Sequence, residues 1–422
     1  MQKSSSILKI ALINLVACLV VLFAFSFLLR SIQSDETSSQ RWADGVDPST
    51  IRATFPNYQD MDPELARAIF QTPPGKPTEY EPFTGWRRTP FDNGAITIED
   101  SYNTRLSIGH QINGSVWFLG GSTMWGTGAT NETTIPSYFA KITGNQVWNL
   151  GESGYNSFQE LIRVQKMLMR GLKPKAVIFY DGVNDSNYCN RNANDFPLHS
   201  RVDQHARAIE QFRRVENLLK EARAELNAAK TRGSFNILDS VLVPINYIAA
   251  PFLKAFRKLT DERAVGGEVS SRLTTETPFS EFVRKNHYKV CGDDPQRASL
   301  AAAATVETWF LAHDLLHARG IPSYYFLQPT GQVHSDKYRL DHILDVQKQR
   351  IADERSSHEA RYRQIVKYWR ENCETHGACS RFFDISAVLI KSSEPVFIDA
   401  FHLSPQGNAI VAGEIARSLD GQ

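Results

Sequence analysis

The chain has 422 residues, of which 42% are hydrophobic, and its formal net charge is +1. This length is enough for one sizeable α/β domain with additions or for two small domains. A charge so close to neutral excludes the strongly basic surface typical of nucleic-acid-binding proteins, so we expect no nucleic-acid partner. The sequence also lacks any repeat or low-complexity signature.

The first predicted element is an almost unbroken apolar segment, residues 10–29, which is long enough to span a hydrocarbon core. A cleaved signal peptide is the alternative, but its apolar region is usually shorter and no A-x-A-like cleavage site follows Leu29. Basic residues precede the segment and acidic residues follow it, which favours a cytoplasmic N-terminus. We therefore predict a short cytoplasmic segment (1–9), a transmembrane helix and an exported body, periplasmic or extracellular, attached to the membrane through that helix.

Cysteine usage fits an exported domain. One cysteine lies in the apolar segment, and an even number remains outside it: Cys189, Cys291, Cys373 and Cys379. Four cysteines allow three disulfide connectivities. Local spacing favours Cys373–Cys379, which leaves Cys189–Cys291, and four free buried thiols are the alternative.

Residues 30–114 are polar, contain several prolines and show weak periodicity, so they predict a stalk followed by a lead-in to the main domain. From residue 115 onwards the pattern changes. Helical spacing appears at 158–172. Three short apolar runs indicate buried strands: 116–119, 147–150 and 176–180. Strand, helix and strand in this rhythm predict a parallel sheet with helices on both faces.

The alternation of strands and helices is interrupted at about 186–292, and we interpret this region as a mainly helical insertion. It contains a charged helical stretch and an apolar stretch with two prolines. A substrate lid, a contact with the membrane surface and simple helical packing all fit this pattern. The α/β rhythm then resumes with further predicted elements: helix 299–318, strand 324–327, helix 359–371, strand 382–385 and a last helix that starts at Pro405 after the N-cap Ser404.

A serine follows the first predicted strand, in Gly120-Gly121-Ser122. In open α/β folds, ligands bind at this carboxyl edge of the sheet. Serine is a poor nucleophile at neutral pH unless a base lies beside it. Asp399-Ala400-Phe401-His402 offers a histidine as the base and a carboxylate to orient it. Each element on its own also fits an ordinary turn.

Two further elements follow the next predicted strands. Gly154 lies after the second strand, and Gly182-Val183-Asn184-Asp185 follows the third. Acyl transfer needs hydrogen-bond donors because negative charge develops on the carbonyl oxygen. The backbone amide of Gly154 and the side chain of Asn184 are therefore candidate donors.

In this order and context the elements resemble the SGNH (GDSL-like) serine hydrolase family. The resemblance covers roughly residues 115–185 and 295–420. Gly121 departs from the family's familiar motif, which has Asp there. The matching segments are Gly120-Gly121-Ser122, Asn149-Leu150-Gly151-x-x-Gly154, Gly182-x-Asn184-Asp185, Asp399-x-x-His402 and Leu403–Asn408.

The resemblance implies a flavodoxin-like three-layer α/β/α domain, here residues 115–422 with the insertion. It implies that Ser122 attacks an ester carbonyl, that His402 carries the proton and that Asp399 orients His402. The Ser122 amide, the Gly154 amide and the Asn184 side chain would form an oxyanion hole, supported by Gly121, Gly182 and Asp185. No metal or organic cofactor is expected.

Two other chemistries fit the sequence less well. The G-x-S-x-G motif of α/β-hydrolases fails because Met124 occupies its last position. His313 and His317 are four residues apart on a predicted helix, but the sequence between them does not match H-E-x-x-H.

We therefore expect an exported, membrane-anchored serine esterase that removes O-acyl groups, above all O-acetyl, from a cell-envelope or secreted polysaccharide. An O-acetyltransferase with the same residues is one alternative, because the acyl-serine can pass to a sugar hydroxyl instead of water. A non-catalytic polysaccharide-binding component that works with envelope-assembly proteins is another. Lipid and phospholipid esters also remain candidate substrates.

Overall fold

A computed structural model of the chain describes residues 48–71, 78–99, 101–190 and 290–420, with the isolated helical residues Asn217 and Lys220. The four ranges fall in one compact unit, which consists of Val46–Val202 and Lys285–Gln422. The predicted membrane helix (10–29) and nearly all of the predicted insertion (186–292) lie outside the described residues. Among the residues that are described, no helix is both long and apolar enough to cross a bilayer.

Five parallel strands form the central sheet: β1 Val116–Gly120, β2 Val147–Asn149, β3 Ala176–Asp181, β4 Ser323–Leu327 and β5 Phe382–Asp384. Their order across the sheet is β2-β1-β3-β4-β5, which is the flavodoxin-like order. The chain direction across the sheet reverses between β1 and β3, and ligands bind at the carboxyl ends of strands at such a point. Ser122 follows β1 and Asn184 follows β3, so the topology brings both to that position.

Nine α-helices occur within the described ranges. They are α1 Pro48–Ala53, α2 Pro63–Phe70, α3 Ser122–Trp125, α4 Ile135–Thr143, α5 Ser157–Met169, α6 Val290–Asp293, α7 Pro295–His317, α8 Asp345–Asn372 and α9 Pro405–Leu419. Two small antiparallel pairs precede the sheet: Thr78–Glu79 with Arg87–Arg88, and Phe91–Asp92 with Thr97–Ile98. Helix α9 begins as the sequence predicts, because the hydroxyl of Ser404 accepts a hydrogen bond from the amide of Gly407 at 3.2 Å.

Alternate residues of each strand face opposite sides of the sheet and divide the core into two layers. Trp117 and Leu119 of β1 belong to a buried cluster with α5, α7 and α8. Their neighbours Val116 and Phe118 belong to a second cluster with α4 and α9. The protein is therefore a three-layer α/β/α domain, as predicted.

Two helices differ from the sequence interpretation. Helix α8 begins at Asp345 rather than at residue 359, because its first half is polar and gives little apolar periodicity. That half is stabilised instead by pairs four residues apart, such as Arg350–Glu354 at 2.6 Å and Arg355–Glu359 at 2.8 Å. Helix α4 was not expected, although Thr134 caps it by accepting from the amide of Ser137.

The described part of the region predicted as a stalk and lead-in, 30–114, packs on the main domain. Residues from α1 onwards form a third buried cluster that includes Phe55, Tyr58 and Ile69. The same cluster contains Trp125 and Ile398, which adjoin the segments of the predicted nucleophile and acid. This part of the lead-in is therefore a packed layer of the domain.

The structure contains two disulfides, Cys189–Cys291 and Cys373–Cys379, which is the pairing that the spacing favours. The first closes a loop of 102 residues and lies in a small buried cluster with Tyr188 and Ala298. It therefore ties the two ends of the predicted insertion to the start of α7.

Three carboxyl groups are buried together behind β3: Glu160, Asp181 and Asp185. Burial, followed by the charge of Asp185, raises the pKa of Asp181 to about 7, although hydrogen bonds from Glu160 and from the indole of Trp309 oppose this rise. Burial and the two neighbouring aspartates likewise raise the pKa of Glu160 well above its usual value. The cluster therefore holds protons at pH values where an exposed carboxyl group has lost them.

Replacing Cys189 and Cys291 together by Ser is expected to lower the free energy of unfolding by about 4–5 kcal/mol, because the bridge restricts a long loop of the unfolded chain. The matched control is the double Ser variant of Cys373 and Cys379, whose loop spans six residues. The same chain-entropy relation gives about 2 kcal/mol for that loop. Denaturant unfolding of the purified proteins measures both, and an equal or larger loss in the control contradicts the prediction.

The Asp181→Asn variant is expected to make stability less dependent on pH between about 4.5 and 6.5. An aspartate in the unfolded chain has a pKa near 3.8, and burial in the folded protein raises the pKa of Asp181 to about 7, so folding takes up a proton between these values. The contribution of Asp181 to wild-type stability then falls as pH rises, by up to about 1.4 kcal/mol per pH unit. Unfolding curves across this range test the change in slope, and exposed Asp341→Asn serves as the control. An unchanged slope in Asp181→Asn contradicts the prediction.

Candidate active site

Ser122 is the first residue of α3, and two glycines allow the chain to turn sharply before it. A Cβ at Gly120 would lie 2.6 Å from the Cβ of Met124 and 2.8 Å from the carbonyl oxygen of Tyr180. A Cβ at Gly121 would lie only 2.2 Å from the side-chain nitrogen of Asn184. An aspartate at 121, as in the family's familiar motif, would therefore require Asn184 to move from its position in this structure.

The loop after β2 packs directly on the nucleophile helix. The side-chain amide of Asn149 donates to the carbonyl oxygens of Met124 and Trp125, at 3.1 and 3.3 Å, and its own oxygen accepts from the amide of Gly151. A Cβ at Gly151 would lie 2.5 Å from the backbone nitrogen of Trp125. The first part of the motif Asn149-Leu150-Gly151-x-x-Gly154 therefore fixes α3 and the serine at its start.

A short closed loop carries the predicted acid and base. The amide of Ile398 donates to the carbonyl oxygen of His402, and the amide of Ser404 donates to that of Val396. Within the loop, Oδ1 of Asp399 accepts from the amides of residues 401 and 402, both at 2.9 Å. The carboxylate is thus fixed by the backbone of the segment that contains the histidine.

Ser122, His402 and Asp399 form one hydrogen-bonded chain. Nδ1 of His402 lies 2.7 Å from Oδ2 of Asp399, and Nε2 lies 2.7 Å from Oγ of Ser122. A neutral ring that donates from Nδ1 has its lone pair on Nε2, where it can accept the serine proton. The structure therefore brings the three predicted catalytic residues together in the geometry of a nucleophile, a base and an orienting acid.

Burial alone would raise the pKa of Asp399, because its carboxylate is removed from water. The charge and hydrogen bonds of His402, together with the guanidinium of Arg52, outweigh burial and hold that pKa well below its usual range. Asp399 is therefore a carboxylate throughout the neutral pH range. As an anion it can stabilise a positive charge on His402.

The candidate oxyanion residues line the same cleft as the serine and histidine. The cleft has a volume of about 350 Å³. The side-chain amide of Asn184 donates to the carbonyl oxygen of Tyr155 at 2.7 Å, which fixes its orientation. The lining residues are Ser122, Thr127, Ser153, Gly154, Val183, Asn184, Ser186, Asn187, Arg350, Phe401 and His402.

Gly182 and Asp185 do not line the cleft but lie behind Asn184. The carbonyl oxygen of Gly182 accepts from the buried guanidinium of Arg361, and a Cβ at this glycine would lie 2.6 Å from the hydroxyl of Tyr362. Asp185 is fully buried and accepts from the hydroxyl of Ser157 at 2.6 Å. Both residues therefore hold the turn that presents Asn184.

Sequence reasoning missed the contribution of the lead-in. Buried Arg105 donates to the carbonyl oxygens of Gly126, at 2.6 Å, and Ala129, which lie in the loop after α3. Arg88 binds Glu152, which lies between Gly151 and Gly154, with Nε 3.3 Å from its carboxylate. No sequence motif marks these arginines, because their partners are mostly backbone carbonyls far along the chain.

The described residues contain no group of three or more His, Cys, Asp or Glu that could hold a metal ion. The imidazole rings of His313 and His317 stack at 5.6 Å, and Nδ1 of His313 lies 3.1 Å from the hydroxyl of Ser323. These contacts explain His313 and His317 as packing residues of a helix.

Replacing Gly121 by Ala is expected to cost about 1–3 kcal/mol of stability, because the new Cβ displaces Asn184 and breaks its bond to Tyr155. Gly413→Ala is the control, because nothing lies within 4 Å of a Cβ there and the residue lies in α9. That change is expected to stabilise the protein by about 0.5–1 kcal/mol. Denaturant unfolding distinguishes the two, and equal stabilities contradict the prediction.

Comparison with known proteins places this site in a family. The chain matches the model of the GDSL-like lipase/acylhydrolase family over residues 116–415. A solved structure of a G-D-S-L family protein from Desulfitobacterium hafniense DCB-2 is 12% identical, and the match covers 73% of this chain and all 100% of that one. Its TM-score is 0.30, which is too low to support an argument, so the assignment to a family rests on the family model. None of the curated proteins matches the chain. Because the matched residues make up more than half of the sequence, the chain belongs to the GDSL-like lipase/acylhydrolase family.

Proposed function

We propose that the protein is a serine ester hydrolase or acyltransferase that works through an acyl-serine intermediate. The observation that carries this proposal is the hydrogen-bonded chain from Ser122 through His402 to Asp399, with both distances at 2.7 Å. A serine becomes nucleophilic when a base within hydrogen-bond reach accepts its proton. The triad lies on an open cleft, where an ester could reach the serine.

In the first half of the reaction, Oγ of Ser122 attacks the ester carbonyl and its proton passes to Nε2 of His402. Asp399 stabilises the imidazolium that forms. The backbone amides of Ser122 and Gly154 and the side-chain amide of Asn184 donate to the oxyanion. Collapse of the intermediate breaks the ester C–O bond, and His402 returns the proton to the departing alcohol oxygen.

In the second half, an acceptor hydroxyl attacks the acyl-serine. His402 removes the acceptor's proton, the acyl group leaves with the acceptor, and the proton returns to Oγ of Ser122. Water as the acceptor gives hydrolysis, and a sugar hydroxyl gives transfer. The triad serves either acceptor, so the two activities differ only in what occupies the cleft.

The composition of the cleft supports a small acyl group on a polar carrier. Among the described residues that line it, six are serine, threonine or asparagine, and two, Val183 and Phe401, have apolar side chains. A long lipid acyl chain would need a more apolar surface to leave water. We therefore favour O-acetyl or similar groups of a cell-envelope or secreted polysaccharide as the substrate.

Two features support an exported location. The two disulfides fit an oxidising compartment, where such bonds persist. The apolar segment 10–29 fits a single membrane helix with its N-terminus in the cytoplasm. An enzyme attached in this way would meet envelope polymers at the membrane surface.

The proposal predicts that a fluorophosphonate probe labels the wild-type protein at Ser122. The Ser122→Ala and His402→Ala variants should show no detectable labelling, because losing either group can cost about a million-fold in turnover. Ser186→Ala is the matched control, since this serine lines the same cleft outside the triad, and it should label like wild type. Labelling of Ser122→Ala at the wild-type level refutes the assignment of the nucleophile. Absence of labelling in folded wild type favours a binding or assembly component.

If labelling occurs, acetylated oligosaccharides and simple acetyl esters separate the two acceptors. Free acetate as the main product indicates an esterase. Acetylated product sugar in excess of acetate, in the presence of an acceptor glycan, indicates a transferase.

A further inference from the structure

The lead-in supplies a cation to the acid of the triad. Nη2 of Arg52, in α1, lies 3.6 Å from Oδ2 of Asp399. The side chain of Arg52 is 24% exposed and that of Asp399 is 5% exposed, so solvent screens this pair only partly. Arg52 lies outside residues 116–415, which match the family model, so the family match does not account for it.

The hydrogen bonds and ion pairs of the Asp399 carboxylate lead either to its own loop or to Arg52. Oδ1 accepts from two backbone amides of the loop. Oδ2 accepts from Nδ1 of His402 and faces the guanidinium of Arg52. The imidazole and the guanidinium therefore share one carboxylate oxygen.

Helix α1 is held against this loop by packing. Phe55, just after the helix, lies in the same buried cluster as Ile398, the neighbour of Asp399. The hydroxyl of Tyr58 donates to the carbonyl oxygen of Gly128 at 2.7 Å. These contacts fix the backbone from which Arg52 reaches the carboxylate.

Other charged or titratable groups pack around the same loop. Tyr58 faces Asp399 from the turn after α1. Nε2 of His342 lies 2.7 Å from the carbonyl oxygen of Phe397. On α8, Arg350 lies over the ring of Phe401 and pairs with Glu354, which His358 approaches. All of these remain in place when Arg52 is replaced, so they act equally in the proteins to be compared.

We propose that Arg52 is a positioning residue, whose guanidinium fixes the Asp399 carboxylate and sets how strongly that carboxylate holds a proton on His402. This inference rests on the proposed function, because it concerns the same triad. Two cations that share one anion weaken each other's attraction to it. Without Arg52, the imidazolium becomes the main counter-charge of Asp399, and the attraction between these two charges is stronger. The base is then available over a narrower pH range.

The rate of Ser122 labelling by a fluorophosphonate probe tests this proposal when it is measured from about pH 5 to 9 on the full chain. Arg52→Gln is expected to move the acid limb of the profile upwards by about 0.5–1 pH unit, which is a 3–10-fold loss of rate below the midpoint. Arg52→Lys keeps the charge and should return the acid limb most of the way to its wild-type position. Arg67→Gln removes an exposed cation from the neighbouring helix α2 and should leave the profile unchanged.

Each outcome decides between the proposal and its alternatives. An acid limb at the wild-type position in folded Arg52→Gln overturns the proposal, and so does a rate loss that is equal at every pH, since that indicates a purely structural effect. If Arg52→Gln does not fold, Arg52→Met keeps the aliphatic stem and makes the same comparison. Wild type that does not label at all overturns the proposed function itself, which is a different result.

Discussion

The site depends on one hydrogen bond, the 2.7 Å contact between His402 and Ser122, which joins groups 280 residues apart in the chain. Neither residue can hold this geometry alone. The serine is positioned by the end of β1 and by the glycines before it, while the histidine is positioned by a closed loop before α9. The parallel sheet makes the contact possible because its carboxyl ends meet at one edge. The packing of α9 with α4 on one face then holds the histidine loop near that edge.

Cationic side chains from the lead-in also hold the backbone around the serine. Arg105 is fully buried, and its guanidinium lies over the ring of Trp125 at 4.6 Å while it donates to two carbonyl oxygens of the following loop. A buried guanidinium is costly unless its donors are used, so this loop and this arginine require each other. The same logic applies to Arg88 and the buried carboxylate of Glu152. The lead-in is thus a structural part of the site.

The sequence predicts the central sheet well because its strands are short apolar runs in a βα rhythm, and the predicted strand at 116–119 differs from β1 by one residue. Ser122 was also predictable because it lies where β1 ends, and Asp399 and His402 were predictable because an acid and a base lie three residues apart in one short motif. The first half of α8 was not, because ion pairs replace the apolar pattern there. The roles of Arg52 and Arg105 could not be predicted for another reason, because they depend on partners that only the tertiary fold brings close. Local sequence carries no signal for such contacts.

These contacts also define where the functional domain begins. A domain boundary at residue 115, where the strand pattern begins, would exclude Arg52 and Arg105. Asp399 would then lose its contact with Arg52, and the loop after α3 would lose its hydrogen bonds from Arg105. It would also expose the apolar surfaces of Trp125 and Ile398, which the lead-in covers. A carboxylate that is 5% exposed keeps its charge only if cations and donors surround it. The Asp399 carboxylate is therefore supported from both ends of the described chain, and the unit that holds the candidate site extends back at least to α1.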